Sequence, residues 1–124
     1  ASWNDIAECR KTIIKEPGRV VIESKSSIME LSSQRMQATG RIISDTYGYC
    51  MGEPANDGTP IAIAGRVLVY PYHDPEEYKL GDCVCTAPNG TVDIMTREEI
   101  KEYPDRIVGI VSEIPNYTIW SGGA

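Results

Sequence analysis

Residues 81–95, GDCVCTAPNGTVDIM, are the stretch that decides the fold. Two short runs rich in Val, Cys, Thr and Ile, residues 81–86 and 91–95, flank the turn Pro88-Asn89-Gly90. An Asn-Gly step between two such runs is a strong signal for a β-hairpin, because both residues tolerate the left-handed backbone of a tight turn. The segment therefore predicts two antiparallel strands.

The rest of the chain repeats this rhythm of short apolar runs broken by Gly, Pro, Asn and Asp. Runs of this kind are typical of strands. The further candidate strands are 19–23, 27–31, 36–44, 61–70, 106–113 and 117–120. Gly65 interrupts one of these runs, which predicts either two strands there or one strand with a bulge.

One segment departs from this rhythm. Thr96-Arg97-Glu98-Glu99 is a capping box, in which Thr96 precedes a helix and Glu99 occupies its third position. We expect a short helix near residues 97–103, ended by Pro104. Many strands and one short helix predict a mainly-β fold, a compact antiparallel β-sandwich or barrel.

Length and composition narrow the class of protein. The 124 residues suit one domain. A hydrophobic share of 41% with 24% charged residues is typical of a soluble globular domain and not of a disordered chain. The net charge of −6 disfavours nucleic acid as a partner. The apolar runs are too short to cross a membrane, so no membrane partner is predicted.

The cysteines and the single histidine do not predict a metal site. Cys83 and Cys85 have one residue between them, whereas metal-binding pairs usually have two or more. With Cys9 and Cys50 they are predicted to be reduced, structural thiols, and no cofactor is expected. His73 lies in an acidic, Pro-containing segment, which predicts an exposed loop residue.

Two arginines and two tryptophans are candidates for a functional role. Arg66 and Arg106 lie in apolar surroundings. They are either oxyanion stabilisers or clamps between chains, or strand-face arginines paired with Asp or Glu. Trp3 and Trp120 lie near the two ends, and our hypothesis is that both pack against a partner chain.

Three blocks of the sequence together resemble a known family. They are residues 60–72, PIAIAGRVLVYPY; residues 81–92, GDCVCTAPNGTV; and residues 95–109, MTREEIKEYPDRIVG. They are similar to the autoproteolytic intramolecular-chaperone domains that end phage tailspike and pre-neck-appendage proteins. The resemblance covers nearly the whole chain, roughly from Asp5 to Trp120.

The resemblance implies a homotrimer that aligns the upstream fibre segments of its own chains and then cuts itself off. Such a domain is a self-cleaving endopeptidase that acts once on its own polypeptide. The resemblance also implies a location in the cytoplasm of the bacterial host during phage or prophage assembly, with the parent protein in the virion.

Members of this family carry Asp-x-x-Glu at the cleavage point, with the Asp directly after the cut bond. The matching pattern is Asp5-Ile6-Ala7-Glu8. It implies cleavage between Asn4 and Asp5, which divides the chain into a remnant, 1–4, and the chaperone domain, 5–124. Asp5 and Glu8 are the implied catalytic residues.

Two chemical routes fit these residues. Glu8 activates a water while Asp5 orients it or protonates the leaving amine, or the Asp5 carboxylate attacks the Asn4 carbonyl directly. Positions three apart in a strand face opposite sides, so Asp5 and Glu8 must meet through a turn or between subunits. We favour the second arrangement because it makes release follow alignment.

Two further functions stay open at this point. The domain could be a catalytically silent trimerisation cap. It could also be a receptor-binding tip, in which Tyr47, Tyr49 and Tyr72 contact a host surface.

Overall fold

Short strands separated by turns make up most of the described chain. The structure is a computed structural model that describes residues 5–44, 47–51 and 58–113. The strands within these ranges are β1 Asp5–Arg10, β2 Val20–Ile22, β3 Glu30–Leu31, β4 Arg41–Ile43, β5 Tyr47–Met51, β6 Thr59–Gly65, β7 Cys83–Ala87, β8 Thr91–Ile94 and β9 Gly109–Ile110. The helix α1 spans Arg97–Glu102, and single 3-10 turns lie at Pro75–Glu77, Pro88–Gly90 and Pro104–Arg106.

The strands form two sheets. The large sheet has the order β3-β2-β4-β6-β1-β5, and all of its pairs are antiparallel except β1 with β5. The small sheet, β8-β7-β9, is antiparallel throughout. The prediction of a mainly-β, sandwich-like fold with one short helix is confirmed. Of the two architectures predicted, the barrel is wrong for the described ranges, because neither sheet closes on itself there.

The large sheet is buried on both faces near its middle. Val20 and Ile42 point towards the small sheet and pack with Tyr78, Val84 and Val92. Their chain neighbours point the other way into a second cluster, Val21, Met29, Ile43 and Ile61, with Ile14 against it. Successive side chains of a strand point to opposite faces, so the Val-Val and Ile-Ile pairs supply both cores at once.

The predicted hairpin is present as β7 and β8. Ala87 pairs with Thr91, and the three residues Pro88–Gly90 make the connection. Asn89 has φ 61° and Gly90 has φ 67°, so the Asn-Gly step supplies two successive left-handed residues. The turn residues predicted from sequence are thus the ones that reverse the chain.

The predicted capping box is present at the start of α1. The Glu99 amide donates to the Thr96 hydroxyl at 3.1 Å, and the Thr96 amide donates to the Glu99 carboxylate at 2.8 Å. The helix ends at Glu102, with Tyr103 as its C-cap and Pro104 directly after it. Within the described ranges, no helix has the length and apolar character that a membrane span requires.

Other predicted strands are shorter than expected. Residues 27–31, 36–44 and 106–113 keep two or three ladder residues each, in β3, β4 and β9. The run 61–70 forms a strand only as far as Gly65, where β6 ends, and the register irregularity of β6 lies at Ile63, between Ala62 and Ala64, instead of at Gly65. Beyond Gly65 the chain is joined to the rest of the domain by separate bonds. The Tyr70 amide, for example, donates to the Gly18 carbonyl at 3.0 Å. The candidate strand 117–120 lies outside the described residues, as do Trp3 and Trp120.

Candidate functional site

Strand β1 carries both residues of the expected catalytic pair. It is an interior strand of the large sheet, parallel to β5 and antiparallel to β6. Asp5 is level with Gly65 of β6, and Glu8, whose side chain is exposed, is level with Ile61. Because β1 runs without interruption from Asp5 to Arg10, no turn separates positions 5 and 8, and the turn arrangement is wrong. Asn4 lies outside the described residues.

The pairing around the first residues of β1 is irregular on both sides. Its register with β5 shifts between Asp5 and Ile6, and its register with β6 shifts between Ile6 and Ala7. Such bulges re-aim side chains, and they are over-represented at sheet edges and beside active sites. The irregular part of the sheet therefore coincides with the first residue after the expected cut.

Of the two candidate arginines, Arg66 adjoins the irregular pairing of β1 with β6, because it directly follows Gly65. Its Nη2 lies 2.8 Å from the Glu113 carboxylate. Arg106 lies in the 3-10 turn after α1, pairs with Asp105 at 3.4 Å and donates to the Met36 carbonyl at 2.6 Å. Both arginines are paired with acidic residues, as the second interpretation expects, although neither lies in a strand.

Arg35 is the centre of a polar cluster that sequence reasoning missed. Its Nε donates to Asp93 at 2.9 Å, and its two terminal nitrogens donate to Glu99, one of them at 2.8 Å. It also donates to the Ile94 carbonyl at 2.6 Å. The hydrogen bonds from Arg35, with a smaller contribution from the Thr96 amide, lower the pKa of Glu99 to about 2. The same bonds, from Glu99 first, raise the pKa of Arg35.

His73 belongs to the same cluster. Its Nε2 lies 2.9 Å from the second carboxylate oxygen of Asp93, and its ring meets the Tyr72 ring edge-on. The loop position is as predicted, and 38% of the side chain is accessible. One feature of the sequence could have indicated this cluster. Asp93 lies within a predicted strand, where an acidic side chain needs a partner.

An Asp–His contact is also the orienting half of a nucleophilic triad, for which a nearby thiol would be the nucleophile. The Cys85 thiol lies 3.6 Å from the Asp93 carbonyl and is fully buried. Burial raises its pKa, which keeps it protonated and unreactive. Among the described residues, no group of three His, Cys, Asp or Glu side chains is placed to hold a metal ion, and Cys83 and Cys85 form no disulfide.

An apolar cleft of about 490 Å³ lies between the two sheets, beside β9. Its walls are mainly apolar, with Arg66 and Glu113 at one side. The principal valines of the lining are Val67, Val69, Val84, Val92, Val108 and Val111. A cleft of this volume has the size and character of a site for an apolar group.

Comparison with known proteins identifies no relative of this chain. No protein-family model, no curated protein and no solved structure matches the chain.

Proposed function

We propose that this domain is a C-terminal intramolecular chaperone that trimerises a phage fibre or tailspike protein and releases itself by cleaving Asn4–Asp5. The observation that supports the proposal is that both residues of the implied catalytic pair lie on one interior strand, whose pairing with both neighbouring strands is irregular beside Asp5 and Ile6.

The two carboxylates meet between subunits. Positions 5 and 8 of a continuous strand belong to opposite faces, so one chain alone does not bring both to the same bond. The exposed side chain of Glu8 is available to a neighbouring chain. Cleavage then requires an assembled trimer, which makes release follow alignment.

In the first route, the Glu8 carboxylate of one chain takes a proton from water, whose oxygen adds to the Asn4 carbonyl carbon of another. The Asn4–Asp5 C–N bond breaks, and the amine of Asp5 leaves with a proton supplied through the Asp5 carboxyl group. In the second route, the Asp5 carboxylate adds to the Asn4 carbonyl carbon, and the C–N bond breaks as the amine takes a proton from the Glu8 carboxyl group. Water then hydrolyses the anhydride that this step forms. Both routes need the two carboxyl groups in different protonation states, which close approach produces.

Trimerisation before fibre folding has a physical reason. Strand pairing among three separate chains has a large entropic cost before contacts repay it. A C-terminal domain that has already trimerised makes that search effectively intramolecular. Release afterwards leaves the fibre kinetically trapped in its assembled state.

The first test is the mass spectrum of a chain that carries fibre sequence upstream of residue 1. We expect a fragment that begins at Asp5, and we expect Asp5→Ala or Glu8→Ala to slow its formation at least about 100-fold. Glu30→Ala is the matched control, because Glu30 is also an exposed strand carboxylate but lies in β3, at the other end of the large sheet. Normal cleavage of both the Asp5→Ala and the Glu8→Ala chains would show that these residues are not catalytic. A parent chain that forms a stable trimer and stays uncut would favour the catalytically silent trimerisation cap.

The second test asks whether the site forms between chains. Asp5→Ala and Glu8→Ala chains, with tags of different mass, are expressed together so that mixed trimers form. We expect cleavage to return in the mixture, and to fall on the Glu8→Ala chain, which keeps Asp5 and receives Glu8 from its neighbour. Mixed trimers that stay uncut would place both carboxylates in one chain. Binding of the isolated domain to host cells would favour the receptor-binding tip, for which half-exposed Tyr72 is available.

A further inference from the structure

The face of the large sheet that carries Glu8 is open at the end nearest to Asp5. Paired residues of antiparallel strands share a face, so Glu8 lies on the same face as Ile61 of β6, and Ile61 on the same face as Ile43 of β4. Ile61 and Ile43 are buried in an apolar cluster. The cover ends one row nearer to Asp5, where Ile6 shares the face of Glu8 and is 41% exposed.

Arg41 lies at the other side of this open row. It is two positions from Ile43 in β4, so it shares the face of Ile43 and Glu8, and it is exposed. Strand β6 runs between β4 and β1, and Ile63, at its register irregularity, is 41% exposed. The open patch, defined as Ile6, Glu8, Arg41 and Ile63, therefore has an apolar centre with one anion and one cation beside it.

The two charges of the open patch are not used within the part of the chain that the structure describes. There, the Glu8 carboxylate makes no ion pair or hydrogen bond, and the Arg41 guanidinium makes one hydrogen bond, to the Gly40 carbonyl at 3.1 Å. β4 and β1 are separated by β6, so the Cα atoms of Glu8 and Arg41 are at least about 10 Å apart. Both charges remain available to a partner.

The pairing of opposite charges identifies the kind of partner. A strongly acidic partner would attract Arg41 but repel Glu8, and a strongly basic partner would do the reverse. A second copy of this chain presents the same two charges beside the same apolar centre. It therefore supplies a cation for Glu8, an anion for Arg41 and isoleucines for the centre.

We propose that the open patch is the contact between copies of this chain, with Glu8 of one copy paired with Arg41 of the next. A head-to-tail contact of this kind closes into a ring, and the trimer is a ring of three. The inference rests on the trimer of the proposed function and specifies the surface that forms it. Because Ile6 directly follows Asp5, the contact also brings Glu8 of one copy to the end of β1 at which its neighbour is cut.

The test is sedimentation velocity of the full chain over a wide range of concentrations. We expect Glu8→Arg and Arg41→Glu each to raise the dissociation constant of the assembly at least about tenfold, because each places two like charges together. The double variant restores opposite charges, so its dissociation constant should return to within about threefold of the parent value. Glu30→Arg and Lys25→Glu are the matched controls, since both residues are exposed, near the β3 end of the large sheet, and change the net charge equally.

Two results would overturn the proposed contact while the trimer stands. They are an assembled parent chain that neither reversal dissociates, and a double variant that assembles no better than the single variants. If far-ultraviolet circular dichroism shows that a reversal unfolds the domain, Glu8→Gln and Arg41→Gln take its place, and parent-like assembly of both would reject the contact.

Other results separate the contact from the proposed function. A parent chain that stays monomeric rejects the trimer and the contact together. An assembly of two copies that depends on the charge pair keeps the contact and rejects the trimer. A trimer that depends on the charge pair, but stays uncut when the chain carries upstream fibre sequence, keeps the contact and rejects the cleavage.

Discussion

Glu99 joins two parts of the molecule through one carboxylate. It closes the capping box of α1 with Thr96 and accepts hydrogen bonds from Arg35. Its pKa in the folded protein, about 2, lies below the ordinary value of 4.5. A lowered pKa means that the ionised group adds stability above the unfolded value, and that this stability is lost as the pH falls from about 4.5 towards 2.

We predict that Glu99→Gln lowers the free energy of unfolding by about 1 kcal/mol at neutral pH, because the amide keeps the cap but loses the charge that faces Arg35. The difference from the parent protein should shrink as the pH falls through the window from 4.5 to 2. Urea titrations across this range measure it. Glu98→Gln is the control, since Glu98 is an exposed carboxylate in the same helical turn. A constant difference at all pH values would contradict the assigned role of the charge.

At the residue scale, the sequence predicted what depends on near neighbours. Thr96 and Glu99 are three positions apart, so their mutual bonds could be inferred from the pattern itself. Arg35 is separated from Glu99 by 64 positions, and nothing local marks the two as partners. The proposed pair Asp5 and Glu8 follows from a resemblance alone, whereas the placement of both on one unbroken strand depends on partners more than 35 positions away.

Among the elements, the β7–β8 hairpin depends on its turn glycine for two separate reasons. Gly90 has φ +67°, and a Cβ there would lie 2.5 Å from a methyl carbon of Leu31 and 3.2 Å from the Val20 carbonyl oxygen. We predict that Gly90→Ala lowers the free energy of unfolding by about 2 kcal/mol, from backbone strain together with displacement of Leu31. Thermal and urea unfolding measure it.

Substitutions at two other glycines distinguish backbone strain from displacement of Leu31. Gly81 has φ +90° with open space around its Cβ position, so Gly81→Ala should cost about 1 kcal/mol from the backbone alone. Gly109 has open space too and no positive φ, so Gly109→Ala should be nearly neutral. Equal losses at Gly90 and Gly81 would show that contact with Leu31 does not matter.

The same contrast explains which elements the sequence predicts. The hairpin and α1 contain their own signals, a turn in one and a cap in the other. β1 and β5 were not predicted, because DIAECR contains one β-branched residue and YGYCM contains none, so neither has the Val- and Ile-rich composition of the other runs. Their pairing is parallel and joins residues about 42 positions apart, so it is specified by the assembled sheet and not by either segment.

In the whole molecule, the large sheet is shared by two apolar clusters, one on each face. Val20 and Val21 are adjacent and both fully buried, yet Val20 belongs to the cluster between the sheets and Val21 to the cluster with Met29. Loss of packing in either cluster weakens β2, because β2 contributes a buried valine to each. The domain is therefore expected to unfold as one unit, although its core is divided.

We predict that Val20→Ala and Val21→Ala each lower the free energy of unfolding by about 2 kcal/mol, since each removes buried methyl groups and leaves a cavity. Under conditions that favour global opening, hydrogen exchange should accelerate by the same factor in both layers for either variant. Suitable probes are the Val108 amide, which donates to Val84 at 2.8 Å, and the Ile13 amide, which donates to Met29 at 2.8 Å. Faster exchange of one probe alone would mean that the two faces of the sheet open separately, and the shared strand would then not couple them.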